Sequence, residues 1–205
     1  MRVGISLTSH HDVADPREGA RWMIERARAA RRAGLDSLFL GDHHAVPKPY
    51  YQNVPMLGRL LAEWDAKPAG CLFLLPLWNP VLVAEQVGTL AAIARGRFIF
   101  QCGLGTDEAQ FLAMGANIKQ RPSAFEESFA IVKKLLAGET VSSQGRFVVE
   151  NAHALEKPAL LEGRNLLRGE PVIPRFGASS LNRSVVVGQV GYHRPFPSWH
   201  NACSE

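Results

Sequence analysis

Cysteine is scarce: the 205 residues hold three, Cys71, Cys102 and Cys203. An odd, scattered set gives neither a disulfide framework nor the paired spacing of a zinc site, so reduced thiols are expected. Long apolar runs are missing as well. None approaches the ~20 residues that a bilayer span needs, and the opening MRVGISLTSHHD has no extended apolar region of the kind a secretory signal carries. These absences predict a cytoplasmic chain without a membrane partner. Acids fail near one end, where Arg175, Arg183 and Arg194 meet no Asp or Glu between Pro171 and Ser204. The net charge of +4 and pI near 9.2 raise nucleic acid as a partner. Against it, six arginines from Arg17 to Arg32 mix with Glu18 and Glu25 along one predicted helix, and no stacking aromatics or recognition motif accompany them. They read as a solvated helix face, and no nucleic-acid partner is expected.

What is present is a globular composition, 46% hydrophobic and 20% charged, with enough length for one proper core. A short β-type run, RVGISL, precedes Asp15-Pro16 and Glu18, which supply N-cap, first-turn proline and first-turn acid of a helix. Ala20, Ile24, Ala27 and Ala30 continue at helical spacing, and Gly34 provides the stop. The strand DSLFLG follows, then a helix over about Pro55 to Trp64. The pattern recurs in the apolar strand AGCLFLLP, a helix opened by Asn79-Pro80 and ending near Gly96, and the strand RFIFQCGLG. Helices near Glu108–Met114 and over Ser123–Leu136 come next, then a hairpin turning at Gln144-Gly145. Strands without polar alternation predict a parallel sheet covered on both faces.

Four β/α units in a row read as the first half of a closed (β/α)8 barrel of typically ~250 residues. A doubly wound open sheet is the alternative, but the Gly-x-Gly-x-x-Gly fingerprint is absent after the first strand. The expected division is a β/α half-barrel over 1–150 and an irregular tail over 151–205, in which PVIPRFGAS is a candidate fifth strand.

Active sites of parallel β/α arrays lie at the carboxyl ends of the strands. The chemically unusual residues gather there: His10 and His11 after the first strand, Asp42, His43 and His44 after the second, Trp78 and Asn79 after the third, and Gly103 to Asp107 after the fourth. Adjacent strand residues point to opposite sides, so one of His43 and His44 faces a site and the other supports the loop or packs outward. A metal site would need a His-x-His pair and ligands from later strands; neither is present, and no metal is expected. QCGLGTDE admits two readings, a backbone approach to an anion or a tight strand-to-helix turn. Cys102, with no basic neighbour in sequence, reads as a packed thiol.

The order of the motifs is more specific than any one of them. GDHH, LPLWNPVLVAEQVGTLAAIARGRF and GLGTDEAQFLAMG, in this succession, resemble the bacterial luciferase-like flavin-dependent oxidoreductases, over Met1 to about Asn151. The resemblance implies a TIM-like barrel with a flavin ring across the strand ends, either reduced FMN or the deazaflavin coenzyme F420. It implies His43 as the active-site histidine, with His44, Cys71, Leu72, Gly103, Leu104 and Gly105 at the cofactor, and a non-prolyl cis bond at Cys71–Leu72. It further implies a small organic substrate that is oxidised or reduced, flavin from a reductase or reduced pool, and a possible homodimer. The luciferases carry a cysteine and a phosphate-binding arginine where this chain has Gly103 and Leu104, which leaves the deazaflavin branch open. The missing second half supports a further reading, a catalytically inactive or partner-dependent flavin-binding fragment.

Overall fold

The structure, a computed structural model, describes residues 3–154. The candidate strand PVIPRFGAS and the expected tail from residue 155 onward lie outside them, whereas Asn151 and Ala152, expected in that tail, belong to the last described strand. The elements run β1 (Gly4–Leu7), α1 (Pro16–Arg32), β2 (Ser37–Leu40), α2 (Asn53–Leu61), β3 (Ala69–Leu74), a 3-10 turn (Leu75–Leu77), α3 (Pro80–Ile93), β4 (Phe98–Gly103), α4 (Glu108–Ala113) and α5 (Arg121–Leu136). The hairpin β5 (Val141–Gln144) and β6 (Val148–Ala152) follows.

The helix starts are chemically determined. Asp15 accepts from the N–H of Arg17 at 2.9 Å ahead of Pro16, and Asn79 accepts from Val81 and Leu82 ahead of Pro80. Gly34, at φ +79°, ends α1 in the left-handed region. The hairpin departs from expectation. Gln144 pairs with Val148, leaving a three-residue turn, because the Glu127 carboxylate of α5 collects the N–H groups of Arg146 and Phe147 at 3.2 and 2.9 Å.

β1 to β4 form one parallel sheet in the order β1-β2-β3-β4. A doubly wound sheet would reverse its order at a switch point; a barrel adds strands sequentially, as here. Register partners share a face. Leu7, Leu40, Cys71 and Phe100 therefore align on one side, joined by Phe73 and Cys102. All six are buried in one core cluster with Met23 and Ala27 of α1, Leu57 and Leu60 of α2, and Val83 and Val87 of α3. Each Leu, Val, Phe or Met among them contributes about 1.5–3 kcal/mol of burial. The opposite side carries Gly4, Ser6, Phe39, Gly70, Leu72, Leu74, Gln101 and Gly103. Gly4 and Ser6 are exposed there, and Phe39, Leu72 and Gln101 half-buried. Among the described residues the helix side is covered along β2 to β4, while the other side is buried at Gly70, Leu74, Ile99 and Gly103 and open toward β1, so the expected double cover is met only in part. The apolar strand residues reflect packing on one face and a barrel-type interior on the other.

Gly70 shows how tight β3 and β4 are. A Cβ there would lie 1.9 Å from the backbone oxygen of Ile99. Gly70→Ala is expected to cost at least about 2 kcal/mol in a urea melt. In α2 a Cβ on Gly58 would meet only Leu90, at 3.9 Å, so Gly58→Ala should be neutral or stabilising by up to about 1 kcal/mol.

Candidate functional site

The end of β2 is joined to the end of β3 by Asp42. Its carboxylate is buried, 1% exposed. One oxygen accepts from the N–H of Leu74 at 2.7 Å and from the indole N–H of Trp78 at 2.8 Å. The β2–β3 pairing has already ended at Leu40 and Cys71, so the Asp42 side chain takes the place of a backbone carbonyl and carries the ladder past the strand end. The second oxygen stands 3.1 Å from His44 Nε2 without forming a hydrogen bond to it, and neither atom has a hydrogen-bond partner among the described residues. His44 is buried and sets its ring edge-on to Trp78, 5.3 Å between centroids. It therefore supports the loop. The structure places its ring against Asp42 and Trp78.

His43 is exposed. Its Nδ1 is 3.2 Å from Gln110 Nε2 of α4, and its ring lies edge-on to Tyr50, 5.3 Å away. Burial, with the nearby Asp42 charge, pushes the Tyr50 phenol above its ordinary value. Gln110 is 4% exposed and makes two further bonds, accepting the N–H of His44 at 2.9 Å and donating to Asp107 at 3.1 Å. That bond is the main reason the Asp107 carboxyl lies below its ordinary value. Sequence reasoning missed Gln110 and Tyr50. A signal for Gln110 existed, since Asp107 caps α4 and a Gln three residues later suggests a capping box. The observed bond differs from that box, since Gln110 Nε2 donates to the Asp107 carboxylate instead of Oε1 accepting the Asp107 N–H, and the spacing says nothing of β2.

The remaining expected residues divide. Leu72 and Gly103 share the open face of the sheet: a Cβ on Gly103 would meet Leu74 at 3.1 Å and Leu72 at 3.4 Å. Leu104 is half-buried beside them. Gly105, at φ +73°, lies against the Phe111 ring, 3.0 Å from where a Cβ would sit. The glycines of this turn are thus filled by the protein's own side chains, which favours the tight-turn reading of QCGLGTDE. Cys71 faces the other way, fully buried in the helix-side core, and its side chain is withdrawn from the site. Burial pushes both the Cys71 and Cys102 thiols up, as expected of packed thiols. The expected cis bond at Cys71–Leu72 is absent: the described residues contain no cis peptide, and both residues stay in regular register with Phe100 and Gln101.

After β1, His10 bonds the carbonyl of Pro49 through Nδ1 at 2.9 Å. His11 is buried between Trp22 and Tyr51, with centroids at 5.8 and 5.9 Å, and its Nε2 has no partner among the described residues. Burial, then the Arg26 charge, holds its pKa below the ordinary 6.5. The unfolded chain therefore takes up this proton first as pH falls, and stability present above about 6.5 is lost below it. Thermal melts at about pH 7.5 and 5.5 should show this loss, and His11→Phe should flatten the profile.

A flat, partly apolar cofactor needs an apolar floor and a few directed polar groups. Leu72 and Leu104 offer the floor and His43 the polar group, so these residues fit a flavin-type ring. No group of His, Cys, Asp or Glu among the described residues is arranged to hold a metal. No helix of the described residues is long and apolar enough to cross a membrane.

The luciferase-like monooxygenase family matches residues 1–188, beyond the Asn151 limit of the motifs. The chain is 27% identical over 176 residues to F420-dependent glucose-6-phosphate dehydrogenase of Intrasporangium calvum, covering 79% of this chain and 52% of that one. It is 32% identical over 125 residues to limonene 1,2-monooxygenase of Rhodococcus erythropolis, covering 59% and 32%. Among solved structures it resembles the oxygenating constituent of 3,6-diketocamphane monooxygenase from Pseudomonas putida in complex with FMN. That likeness has a TM-score of 0.66 at 22% identity and covers 80% of this chain and 46% of that chain. An F420-dependent secondary alcohol dehydrogenase in complex with an F420-acetone adduct gives 0.63 at 20%, covering 77% and 49%. These structural likenesses bear on the fold. The chain spans about half the length of the first of these curated relatives.

Proposed function

The chain belongs to the luciferase-like monooxygenase family, and on that premise we propose that it binds a reduced flavin, FMN or F420, at the ends of β2 to β4 and oxidises or reduces a small organic substrate there. The observation that carries the reading is the exposed His43 ring after β2, bonded to Gln110 and edge-on to Tyr50. The named relatives support both cofactors, since they include F420-dependent dehydrogenases and an FMN-bound monooxygenase.

When bound, the flavin supplies hydride transfer or oxygen activation. The protein's part is separate. Leu72 and Leu104 would seat the ring and exclude water from one side. Backbone groups of Gly103 and Gly105 would stand nearest to it at the β4 turn. His43 would donate a hydrogen bond to the developing charge or exchange a proton with the substrate, the role a positioned imidazole serves near neutral pH. Asp42 and His44 hold the loop that aims it.

The turn after β4 offers Gly103 and Leu104 in place of a cation for a phosphate, which leaves F420 open beside FMN. Turnover separates them. Purified chain with F420 and a panel of alcohols and sugar phosphates should change the deazaflavin absorbance. Chain with reduced FMN, oxygen and cyclic ketones or terpenes should yield oxygenated product if FMN is the partner. Activity in neither assay would overturn the enzyme reading. A second reading, a flavin-binding chain that turns over only with a partner, is favoured by the partly exposed inner sheet face. Binding without turnover in both assays would support it.

A further inference from the structure

We propose that Gln110 is a positioning residue that fixes the tautomer of His43, holding Nδ1 as acceptor so that the proton sits on the outward Nε2. This rests on the flavin-site reading for its use, but its argument is independent of it.

The amide orientation of Gln110 follows from its partners. Oε1 faces the N–H of His44 at 2.9 Å, a group that only donates. Nε2 faces the Asp107 carboxylate at 3.1 Å, a group that only accepts when ionised, and the Asp107 carboxyl lies below its ordinary value, chiefly because of this bond. A flipped amide would set oxygen against carboxylate and N–H against N–H, so two independent contacts exclude it. The remaining hydrogen of Nε2 then points at His43 Nδ1, 3.2 Å away. An Nδ1–H tautomer would bring two donors together there; the Nε2–H tautomer makes the bond. Gln110 is buried while His43 is exposed, so the less mobile partner sets the choice. The outward nitrogen is accordingly a donor in the neutral ring, suited to a substrate or cofactor atom that accepts a hydrogen bond or gains negative charge. Of the neighbouring groups, Tyr50 meets the His43 ring edge-on. Asp42 and His44 interact with each other. Neither relation supplies a competing bond to Nδ1.

The test uses the full chain labelled with 15N-histidine, at about pH 9, well above the ordinary imidazole value of about 6.5. Long-range 1H–15N spectra report which ring nitrogen carries the proton, and His43→Gln identifies the signal by its loss. Wild type should show Nε2–H. A free imidazole already leans that way, so the decisive variant reverses polarity: Asp107→Asn together with Gln110→Glu sets an acceptor against Nδ1 and lets residue 107 donate to it. Asn caps α4 as Asp does. The tautomer ratio should then invert by about tenfold or more, the factor set by one hydrogen bond of ordinary net strength. Gln110→Met, which keeps the length and removes the bond, should leave a mixture, and it serves alone if the double variant fails to fold. Nε2–H unchanged in every folded variant, or Nδ1–H in wild type, would overturn the proposal. The spectra need no cofactor, so a chain that fails to bind flavin yet switches tautomer would separate this inference from the proposed function.

Discussion

Asp42→Ala is expected to destabilise the protein by about 3–5 kcal/mol, the largest effect of any single side-chain removal at the site. The reason is the number of groups it leaves unmet. Leu74 N–H and Trp78 Nε1–H both donate to one Asp42 oxygen, His44 Nε2 stands 3.1 Å from the other, and the carboxylate is 1% exposed. Water has little access to replace it, so the full desolvation penalty of each orphaned donor is incurred. Asp42→Asn should cost far less, about 1 kcal/mol, because its oxygen still serves Leu74 and Trp78 and its amide can donate to a neutral His44. Urea melts of both variants measure the difference, and equal losses would show that Asp42 acts through charge rather than through its accepting geometry.

His43→Ala is expected to behave in the opposite way. Its ring is exposed and its protein contacts are one bond to Gln110 and one edge contact to Tyr50, so stability should change by less than about 0.5 kcal/mol. Turnover with the accepted flavin should fall by about 10²–10⁴-fold, the usual worth of a positioned acid or base, with cofactor affinity changed by less than about threefold. The pair separates scaffold from chemistry: Asp42 lowers the melt, His43 lowers the rate. If His43→Ala lost affinity and turnover equally, its ring would be a binding contact and not a participant in the reaction.

The contrast also shows what a sequence exposes. Asp15-Pro16 and Asn79-Pro80 were legible as helix starts because capping is local, with donor and acceptor two or three residues apart. The strands were legible from their apolar runs, and strand parity alone predicted that the His43 and His44 rings would part, one exposed and one buried. Face coverage was not legible, because Gly4, Ser6 and Gly70 read as ordinary strand residues until the register puts them together on the open side. Parity also placed Cys71 on the helix side, one residue out of step with Leu72, where a motif match by position cannot distinguish them. Asp42 and Gln110 were the least legible. Their partners lie 32 and 66 residues away, and only the parallel stacking of β2 to β4 brings those segments together.

Of the expected cofactor residues, Leu72, Gly103, Leu104 and Gly105 remain together near the β4 turn, while His44 and Cys71 serve the protein's own packing. GDHH is a chemical unit of a particular kind: Asp42 ties the end of β2 to that of β3, His44 stands behind it, and the His43 ring is exposed.

The central claim is that these strand ends take a flavin ring, and equilibrium titration of the purified full chain with FMN and with F420, followed by cofactor fluorescence, tests it most directly. Saturable binding of at least one, with a Kd of about 10 µM or tighter, is the predicted result. Absence of saturable binding by both, up to about 100 µM, in a chain that melts cooperatively would contradict it.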